Sequence, residues 1–163
     1  MLVQPLTGLH NRQGFDCGRA ELNHWLSQVA RQHQDKGLSK TFVAVLEEAP
    51  QQICGFYALT LAEMDTTHLP INWQKKLPRR VPGVRLGRLA VDVACQGKKL
   101  GELLLIDALT KVHRIAEAAG GIGLFVDALD EHAAGFYKKF GFESAPDQPL
   151  LLFLPTSVAV FKP

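Results

Sequence analysis

The sequence lacks the residue patterns that mark several large classes of protein. It has three cysteines, Cys17, Cys54 and Cys95, which are far apart, odd in number and without CxxC spacing. This spacing favours reduced thiols in a cytoplasmic protein over a disulfide framework or a zinc site. The six histidines are scattered, with no HExxH or similar ligand pair, so a metal enzyme is not expected.

Long apolar runs and a secretion leader are also missing. No run of about 18 apolar residues occurs, which is the length that a membrane-spanning helix needs. The first residues show no cationic start followed by an apolar core, so we expect no standard secretion signal either. The net charge of +2 is small, and any contact with nucleic acid must therefore come from a local basic patch.

The apolar residues that are present predict a single α/β domain. With 163 residues, 47% of them hydrophobic, we expect one globular domain over residues 1–163. Helical periodicity covers residues 22–36, 104–119 and 130–140, with a short helix near 73–77. Strands are predicted at 2–6, 41–46, 53–61, 84–93, 122–126, 150–154 and 157–161. This order predicts a sheet of mixed direction in which strands 84–93 and 122–126 are parallel.

The stretch LGRLAVDVACQGKKLG, residues 86–101, is the clearest candidate for a functional site. Its pattern predicts an apolar strand, a loop with Gly97 and Gly101, and the start of a long helix. Amides in the first turn of a helix have no partner within the helix, and with the helix dipole they attract phosphate. The GxxxxGKS and GxxxxGKT patterns are absent, and no GxGxxG follows the strand. A site for a phosphate-bearing cofactor and a plain strand-to-helix turn both fit the loop taken alone.

A basic segment precedes this loop. Between positions 75 and 88 the chain carries six basic residues and no acidic one: Lys75, Lys76, Arg79, Arg80, Arg85 and Arg88. Such a run is usually a solvated face, but its position next to the loop strand also suits a polyanionic substrate.

Two stretches carry a family resemblance. GRLAVDVACQGKKLGELLL and, some way later, VDALDEHAAGFYKKFGF resemble the GCN5-related N-acetyltransferase superfamily. That superfamily joins a Gln-x-x-Gly-x-Gly loop for the pyrophosphate of coenzyme A to a late Ala-x-x-Phe-Tyr-x-x-x-Gly-Phe helix. FDCGRAELNHWL, LPRRVP and LLLFLP are further similar to the toxins of bacterial toxin-antitoxin pairs that acetylate aminoacyl-tRNA. The resemblance covers nearly the whole chain.

The resemblance implies a fold, a cofactor and partners. It implies a mixed, mostly antiparallel central sheet flanked by helices, acetyl-CoA as co-substrate and no metal. It also implies aminoacyl-tRNA as acceptor on the basic segment, a ribbon-helix-helix antitoxin, a homodimer, a cytoplasmic location and no membrane. The implied pyrophosphate contacts are Gln96, Gly97, Lys98, Lys99, Leu100 and Gly101. The implied contacts of the pantetheine arm are Leu89, Ala90 and Val91, and the implied catalytic acid is Tyr137.

The chain departs from the family loop at Lys99, where the pattern has glycine. If this position needs a positive φ, a lysine costs about 1 kcal/mol, because left-handed geometry disfavours a side chain with a Cβ. The ammonium offsets part of that cost if it reaches a phosphate. We therefore expect cofactor binding to persist.

The chemistry of the acceptor leaves alternatives open. No dedicated base is evident, although Glu131 and His132 remain candidates through a bound water. A lysine amine, with a pKa of about 10.4, is charged at neutral pH, whereas an α-amine near 7.7 to 8.0 is partly neutral. This tilts the prediction toward aminoacyl-tRNA. A small amine or a protein amino group as acceptor, and a binding module without catalysis, are the alternatives.

Overall fold

The structure is a computed structural model, and it describes residues 1–75 and 77–156. The strands are β1 (Leu2–Pro5), β2 (Lys40–Val45), β3 (Gly55–Asp65), β4 (Arg80–Val91), β5 (Gly123–Asp127), β6 (Glu143–Ser144) and β7 (Leu151–Pro155). The α-helices are α1 (Ala20–His24), α2 (Ala30–Asp35), α3 (Ile71–Gln74), α4 (Leu100–Ala119) and α5 (Glu131–Lys138). A π-helical segment, Trp25–Val29, joins α1 to α2, and two 3₁₀ turns cover Thr66–His68 and Val93–Cys95.

The described strands form one mixed sheet. Hydrogen-bonded neighbours follow the order β1-β2-β3-β4-β5-β7-β6. The pairs β1–β2, β2–β3, β5–β7 and β6–β7 are antiparallel, whereas β4–β5 is parallel with Val84 opposite Leu124. The predicted fold class, a mixed and mostly antiparallel sheet flanked by helices, is confirmed, and so is the parallel pair on either side of α4.

The chain divides into two compact units. The first unit comprises Met1–Thr60 and Gly87–Ala108. In its core, the indole of Trp25 stacks on Phe56 with ring centroids 6.1 Å apart, and Leu26 and Val43 are fully buried beside them. The helix that begins at α1 therefore buries the apolar face that its periodicity predicted.

The second unit comprises the described residues within Leu61–Leu86 and from Leu109 onward. Its core includes Phe125 and Phe153, whose ring centroids lie 4.9 Å apart on paired strands. Gly123 is required beside them, because a Cβ there would lie 2.2 Å from the carbonyl oxygen of Leu154. Cross-strand aromatic packing on one face is thus a main source of cohesion in this unit.

Several predicted boundaries were wrong. Residues 64–83 were predicted as an irregular excursion, but they contain the end of β3 and the start of β4. Pro82 lies within β4, where its carbonyl accepts from the Ile122 amide. The short helix is Ile71–Gln74 and not 73–77, and β4 ends at Val91. The short strand β6 was not predicted, since two residues carry no periodicity. The strand predicted at 157–161 lies outside the described residues.

Gly55 provides a test of the packing beneath the candidate loop. A Cβ at this position would lie 2.9 Å from Leu104 and 3.1 Å from the carbonyl oxygen of Ala90. We predict that Gly55→Ala lowers the free energy of unfolding by about 1–3 kcal/mol through overpacking. Gly135→Ala, with open space around the new methyl group, is the matched control and should be neutral or stabilising. Urea unfolding of both variants measures this, and equal stability would show that Gly55 is not tightly packed.

Candidate active site

The loop after β4 begins with a capped turn. Asp92 follows the strand, and its carboxylate accepts from the Ala94 amide at 2.9 Å, which starts the 3₁₀ turn Val93–Cys95. The other carboxylate oxygen accepts from the Asp16 amide at 3.0 Å. The Val93 amide in turn donates to the Asp16 carbonyl at 2.8 Å. The N-terminal segment therefore holds the end of β4 in place.

Asp16 is itself fixed by its neighbours. Its carboxylate accepts from the Gly18 amide at 2.8 Å and from the Asn23 side chain at 2.9 Å. These two hydrogen bonds, that of Gly18 first, lower the pKa of Asp16. Sequence reasoning missed Asp16 and Asp92, because the bond between them joins residues 76 positions apart and no local pattern marks it.

The loop from residue 96 to 101 has the backbone geometry of an anion site. Gly97 has φ of +80° and Lys99 has φ of +60°, so the condition under which a lysine at position 99 strains the backbone is met. The first helical bond of α4 runs from the Leu103 amide to the Lys99 carbonyl at 3.2 Å. Within the described chain, the amides of residues 96–102 have no protein acceptor. Several unpaired amides at the positive end of a 20-residue helix can converge on a phosphate.

The side chains of the loop divide into two groups. The Gln96 amide nitrogen donates to the Val91 carbonyl at 3.0 Å and to the Cys17 carbonyl at 3.4 Å, so this side chain closes the loop onto the strand. Lys98 and Lys99 are exposed, and both line a cavity of about 330 Å³. The two ammonium groups therefore provide the positive charge of the loop, and the hydrogen bonds of Gln96 hold its conformation.

The strand residues predicted to contact the cofactor arm lie at the end of β4. Ala90 is buried in the core of the first unit, and Leu89 and Val91 are half-buried. The ladder between β4 and β5 is described only as far as Leu86. Leu89–Val91 therefore lies beyond the part of β4 that pairs with β5.

Tyr137 lies on α5, in the second unit. The helix begins at Asp130, whose carboxylate accepts from the Ala133 amide at 2.8 Å. The Tyr137 ring packs edge-on against Phe136 and Phe142, at 5.2 and 5.5 Å between centroids. Burial raises the pKa of Tyr137 well above that of a free phenol. The group therefore stays protonated at neutral pH.

The Tyr137 hydroxyl, unlike the ring, is available for chemistry. It has no hydrogen-bond partner within residues 1–75 and 77–156. The unpartnered polar side-chain atoms that are fully buried there do not include it, so the hydroxyl is in contact with solvent. By contrast, the other tyrosine, Tyr57, donates to the Asp107 carboxylate at 2.5 Å. Of the two tyrosines, Tyr137 is therefore the one whose hydroxyl has no acceptor among the described residues.

The basic segment is less unbalanced than its sequence suggested. Neighbouring strands place a carboxylate beside each of three arginines: Arg79 pairs with Asp65 at 3.4 Å, Arg80 pairs with Glu63 at 2.7 Å, and Arg85 pairs with Asp127. The Arg79 and Arg80 side chains remain 87% and 60% exposed, so these pairs are largely hydrated. These pairs depend on which residues lie opposite each other in neighbouring strands, and the local sequence does not predict that register.

The remaining basic residues have different surroundings. The Arg88 guanidinium lies 4.4 Å from the centroid of the Trp25 ring, as a cation–π pair within the first unit. Burial lowers the pKa of Arg88. Lys75 is exposed, and Lys76 lies outside the described residues.

In the described part of the chain, no group of three or more His, Cys, Asp or Glu side chains is arranged to hold a metal ion. No helix in that part is long and apolar enough to span a membrane.

The mixed sheet and the loop with unpaired amides define an α/β protein with a candidate anion site, and comparison with known proteins names the family. The family model described as an acetyltransferase (GNAT) domain matches residues 37–144. The chain belongs to this GNAT acetyltransferase family.

Its relatives include bacterial toxins. The tRNA-acetylating toxin of Mycobacterium tuberculosis (strain ATCC 25618 / H37Rv) is 34% identical over 140 residues, covering 86% of this chain and 82% of the relative. Among solved structures, a mutant of KacT has a TM-score of 0.90 at 32% identity, covering 95% of this chain and 94% of the other. AtaT complexed with acetyl-methionyl-tRNAfMet has a TM-score of 0.87 at 35% identity, with the same coverage.

Lys99 tests whether the loop binds phosphate. We predict that Lys99→Glu weakens acetyl-CoA binding about tenfold, because a carboxylate replaces an ammonium beside the phosphates. Lys99→Gly should keep its affinity, since glycine adopts the left-handed φ without strain. Lys36→Glu, an exposed charge reversal at the end of α2, is the control. Titration calorimetry decides the question, and an unchanged affinity for Lys99→Glu would place the side chain away from the phosphates.

Proposed function

We propose that this protein transfers the acetyl group of acetyl-CoA to the α-amino group of an aminoacyl-tRNA, as the toxin of a toxin-antitoxin pair. One observation carries the proposal: the chain matches AtaT, in a structure with acetyl-methionyl-tRNAfMet, over 95% of its length with a TM-score of 0.87. A further neighbour, AtaTR, was solved bound with AcCoA and is 35% identical. Acetylation of the amino group removes the nucleophile of peptide-bond formation and so blocks translation.

The cofactor roles follow from the loop and the strand. The unpaired amides of residues 96–101 and the ammonium groups of Lys98 and Lys99 bind the pyrophosphate of acetyl-CoA. Gln96 keeps the loop closed through its bonds to backbone carbonyls. Leu89, Ala90 and Val91 contact the pantetheine arm, and amides there polarise the thioester carbonyl as negative charge develops on its oxygen.

The acid role falls to Tyr137. When the amine attacks the thioester carbon, the carbon–sulfur bond breaks and the departing thiolate of coenzyme A needs a proton. The conjugate acid of a thiolate has a pKa near 8.5, below the value of about 10 for a tyrosine phenol, so proton transfer from Tyr137 runs uphill and depends on proximity and on stabilisation of the resulting charge. The proton that the amine loses can return to the tyrosine, so the residue is regenerated in each cycle.

The pKa of the acceptor amine favours an aminoacyl-tRNA as the acceptor. Glu131 and His132 are exposed in the first turn of α5, and within the described residues neither is engaged as a buried base. An enzyme without a strong base favours an amine that is already partly neutral at pH 7, as an α-amine near 7.7 to 8.0 is. The basic residues at positions 75–88 then hold the phosphates of the tRNA.

The partners and the location belong to the same proposal. Neighbouring structures include AtaT bound to the C-terminus of the antitoxin AtaR, and a KacTA–DNA complex. By analogy, an antitoxin of the ribbon-helix-helix type covers the basic segment and the groove beside the loop with an acidic, partly apolar tail. We further propose a homodimer of single-domain chains that acts in the cytoplasm, where charged tRNA is found.

A second candidate is an acetyltransferase of a small amine or a protein amino group. The ion pairs of Arg79, Arg80 and Arg85 favour it, because each carboxylate lowers the charge available to a polyanion. Salt dependence separates the two candidates. A tRNA acceptor predicts a steep loss of affinity with ionic strength, and a small amine predicts little change.

Tyr137 and the acceptor are tested in one assay. Purified protein is incubated with total charged tRNA and labelled acetyl-CoA, and label on the aminoacyl group is expected. Tyr137→Phe should lower turnover about 10²-fold or more while acetyl-CoA affinity stays nearly unchanged, because a positioned acid acts in the transition state. Tyr57→Phe, which removes the hydroxyl bonded to Asp107, is the control and should keep its turnover. Normal turnover of Tyr137→Phe would remove Tyr137 from the mechanism, and unlabelled tRNA would overturn the proposed acceptor.

The ion pairs of the basic segment give a test in both directions. The double variant Arg79→Glu with Arg80→Glu should weaken both acetylation of charged tRNA and antitoxin binding, and leave acetyl-CoA affinity intact. The converse double variant, Glu63→Gln with Asp65→Asn, releases both arginines from their partners and should tighten tRNA binding.

The control is Lys36→Glu with Lys40→Glu, which makes the same charge change at exposed positions outside the segment. Thermal melts confirm that each variant is folded, and filter binding at low and high salt reports tRNA affinity. If the arginine variant acetylates charged tRNA at the normal rate in low salt, the segment is only a solvated face and the small-amine candidate gains support.

A further inference from the structure

Two of the three cysteines meet beside the candidate phosphate loop. Cys54 immediately precedes β3 and is 2% exposed, and Cys95 ends the 3₁₀ turn before the loop and is half-buried. Both residues line one cavity, and the Cys95 thiol is close enough to Cys54 to raise its pKa. The Asp92 amide donates to the Cys54 carbonyl at 2.8 Å, which ties the two backbones together at the same place.

The thiol pair is reachable from solvent. Both cysteines line the cavity of about 330 Å³ that Lys98 and Lys99 also line, together with Leu100 and Leu103. A molecule that enters this cavity lies against both cysteines and the two loop lysines. The proposed acetyl transfer uses neither thiol, so the pair has no role in the mechanism described above.

The two thiols differ in a way that suits stepwise oxidation. Burial and the contact with Cys95 raise the pKa of Cys54 to about 11, so its thiol stays protonated. Cys95 is the more exposed of the two and is the sulfur that an oxidant meets first. A second thiol in contact with a newly oxidised one is the arrangement that forms a disulfide in place of further oxidation.

We propose that Cys54 and Cys95 form a redox modification site that takes peroxide-class oxidants and closes to a reversible disulfide. The Cys95 thiolate attacks the peroxide oxygen, breaks the O–O bond and becomes a sulfenic acid, and the leaving hydroxide takes up a proton as water. The Cys54 sulfur then attacks the sulfenic sulfur, and the Cys54 proton leaves with the displaced oxygen as a second water. Two thiols are oxidised and one peroxide is reduced to two waters.

Disulfide formation changes the loop that follows Cys95. A disulfide needs its sulfur atoms about 2.05 Å apart, closer than any non-bonded contact, so bond formation draws the Val93–Cys95 turn toward Cys54. That turn is also held by Asp92, which accepts from the Ala94 and Asp16 amides, and residue 96 begins the loop. The loop amides therefore lose their arrangement for phosphate, and oxidised protein binds acetyl-CoA more weakly.

The test uses hydrogen peroxide on the full chain. Reduced protein is treated with peroxide, cleared of it, and examined by intact mass, peptide mapping and titration with acetyl-CoA. Wild-type protein and Cys17→Ser should each lose the mass of two hydrogen atoms, with residues 54 and 95 cross-linked. Cys95→Ser and Cys54→Ser should show no cross-link. Affinity for acetyl-CoA should fall about fivefold or more in oxidised wild type, the lower end of coupling between linked sites, and return with dithiothreitol.

Each outcome bears on one part of the inference. Sulfinic acid at Cys95, or no cross-link, would overturn the modification site. A cross-link with unchanged acetyl-CoA affinity would overturn its coupling to the loop. Cys95→Ser is the main control because its half-buried position tolerates the change, and it should bind acetyl-CoA equally well before and after peroxide. The mass measurement stands even if the reduced protein fails to bind acetyl-CoA, which would count against the proposed function alone.

Discussion

The candidate loop depends on one carboxylate. Asp92 accepts at once from the Ala94 amide, which turns the chain out of β4, and from the Asp16 amide, which brings in the N-terminal segment. Both bonds run from backbone amides to a carboxylate, and charge-assisted bonds of this kind are stronger than neutral ones. With the end of β4 held in this way, the following residues can keep their amides free of protein partners. The candidate site consists of backbone amides without protein partners, and the bonds of Asp92 and Asp16 hold the chain in the conformation that leaves them unpaired.

The left-handed residue in the loop also depends on the structure around it. Lys99 has φ of +60°, which costs about 1 kcal/mol for a residue with a Cβ, so the surrounding structure must impose it. The Gln96 side chain, three residues earlier, holds the start of the loop against the Val91 carbonyl. A lysine at this position adds a charge that glycine lacks. At position 99 the chain therefore carries a strained backbone conformation together with a positive charge beside the expected pyrophosphate.

Much of this arrangement was predictable from local pattern. Apolar periodicity predicted α4 and its flanking parallel strands, and the family pattern singled out position 99 as a place where a left-handed φ would strain a lysine. The contacts between distant segments were not predictable: the Asp16–Asp92 bond and the acids opposite Arg79, Arg80 and Arg85 depend on sheet register. The roles of Tyr137 and of the basic residues, and the single domain over residues 1–163, stay predictions.

The central claim is that the phosphates of the cofactor supply much of its binding energy through the loop. Calorimetric comparison of acetyl-CoA with S-acetylpantetheine, which carries the same thioester and arm without phosphates, tests it most directly. Two or more charge-assisted hydrogen bonds predict that the truncated donor binds about 10²-fold more weakly or worse. Equal affinity for the two donors would contradict the account and reduce the loop to a turn between a strand and a helix.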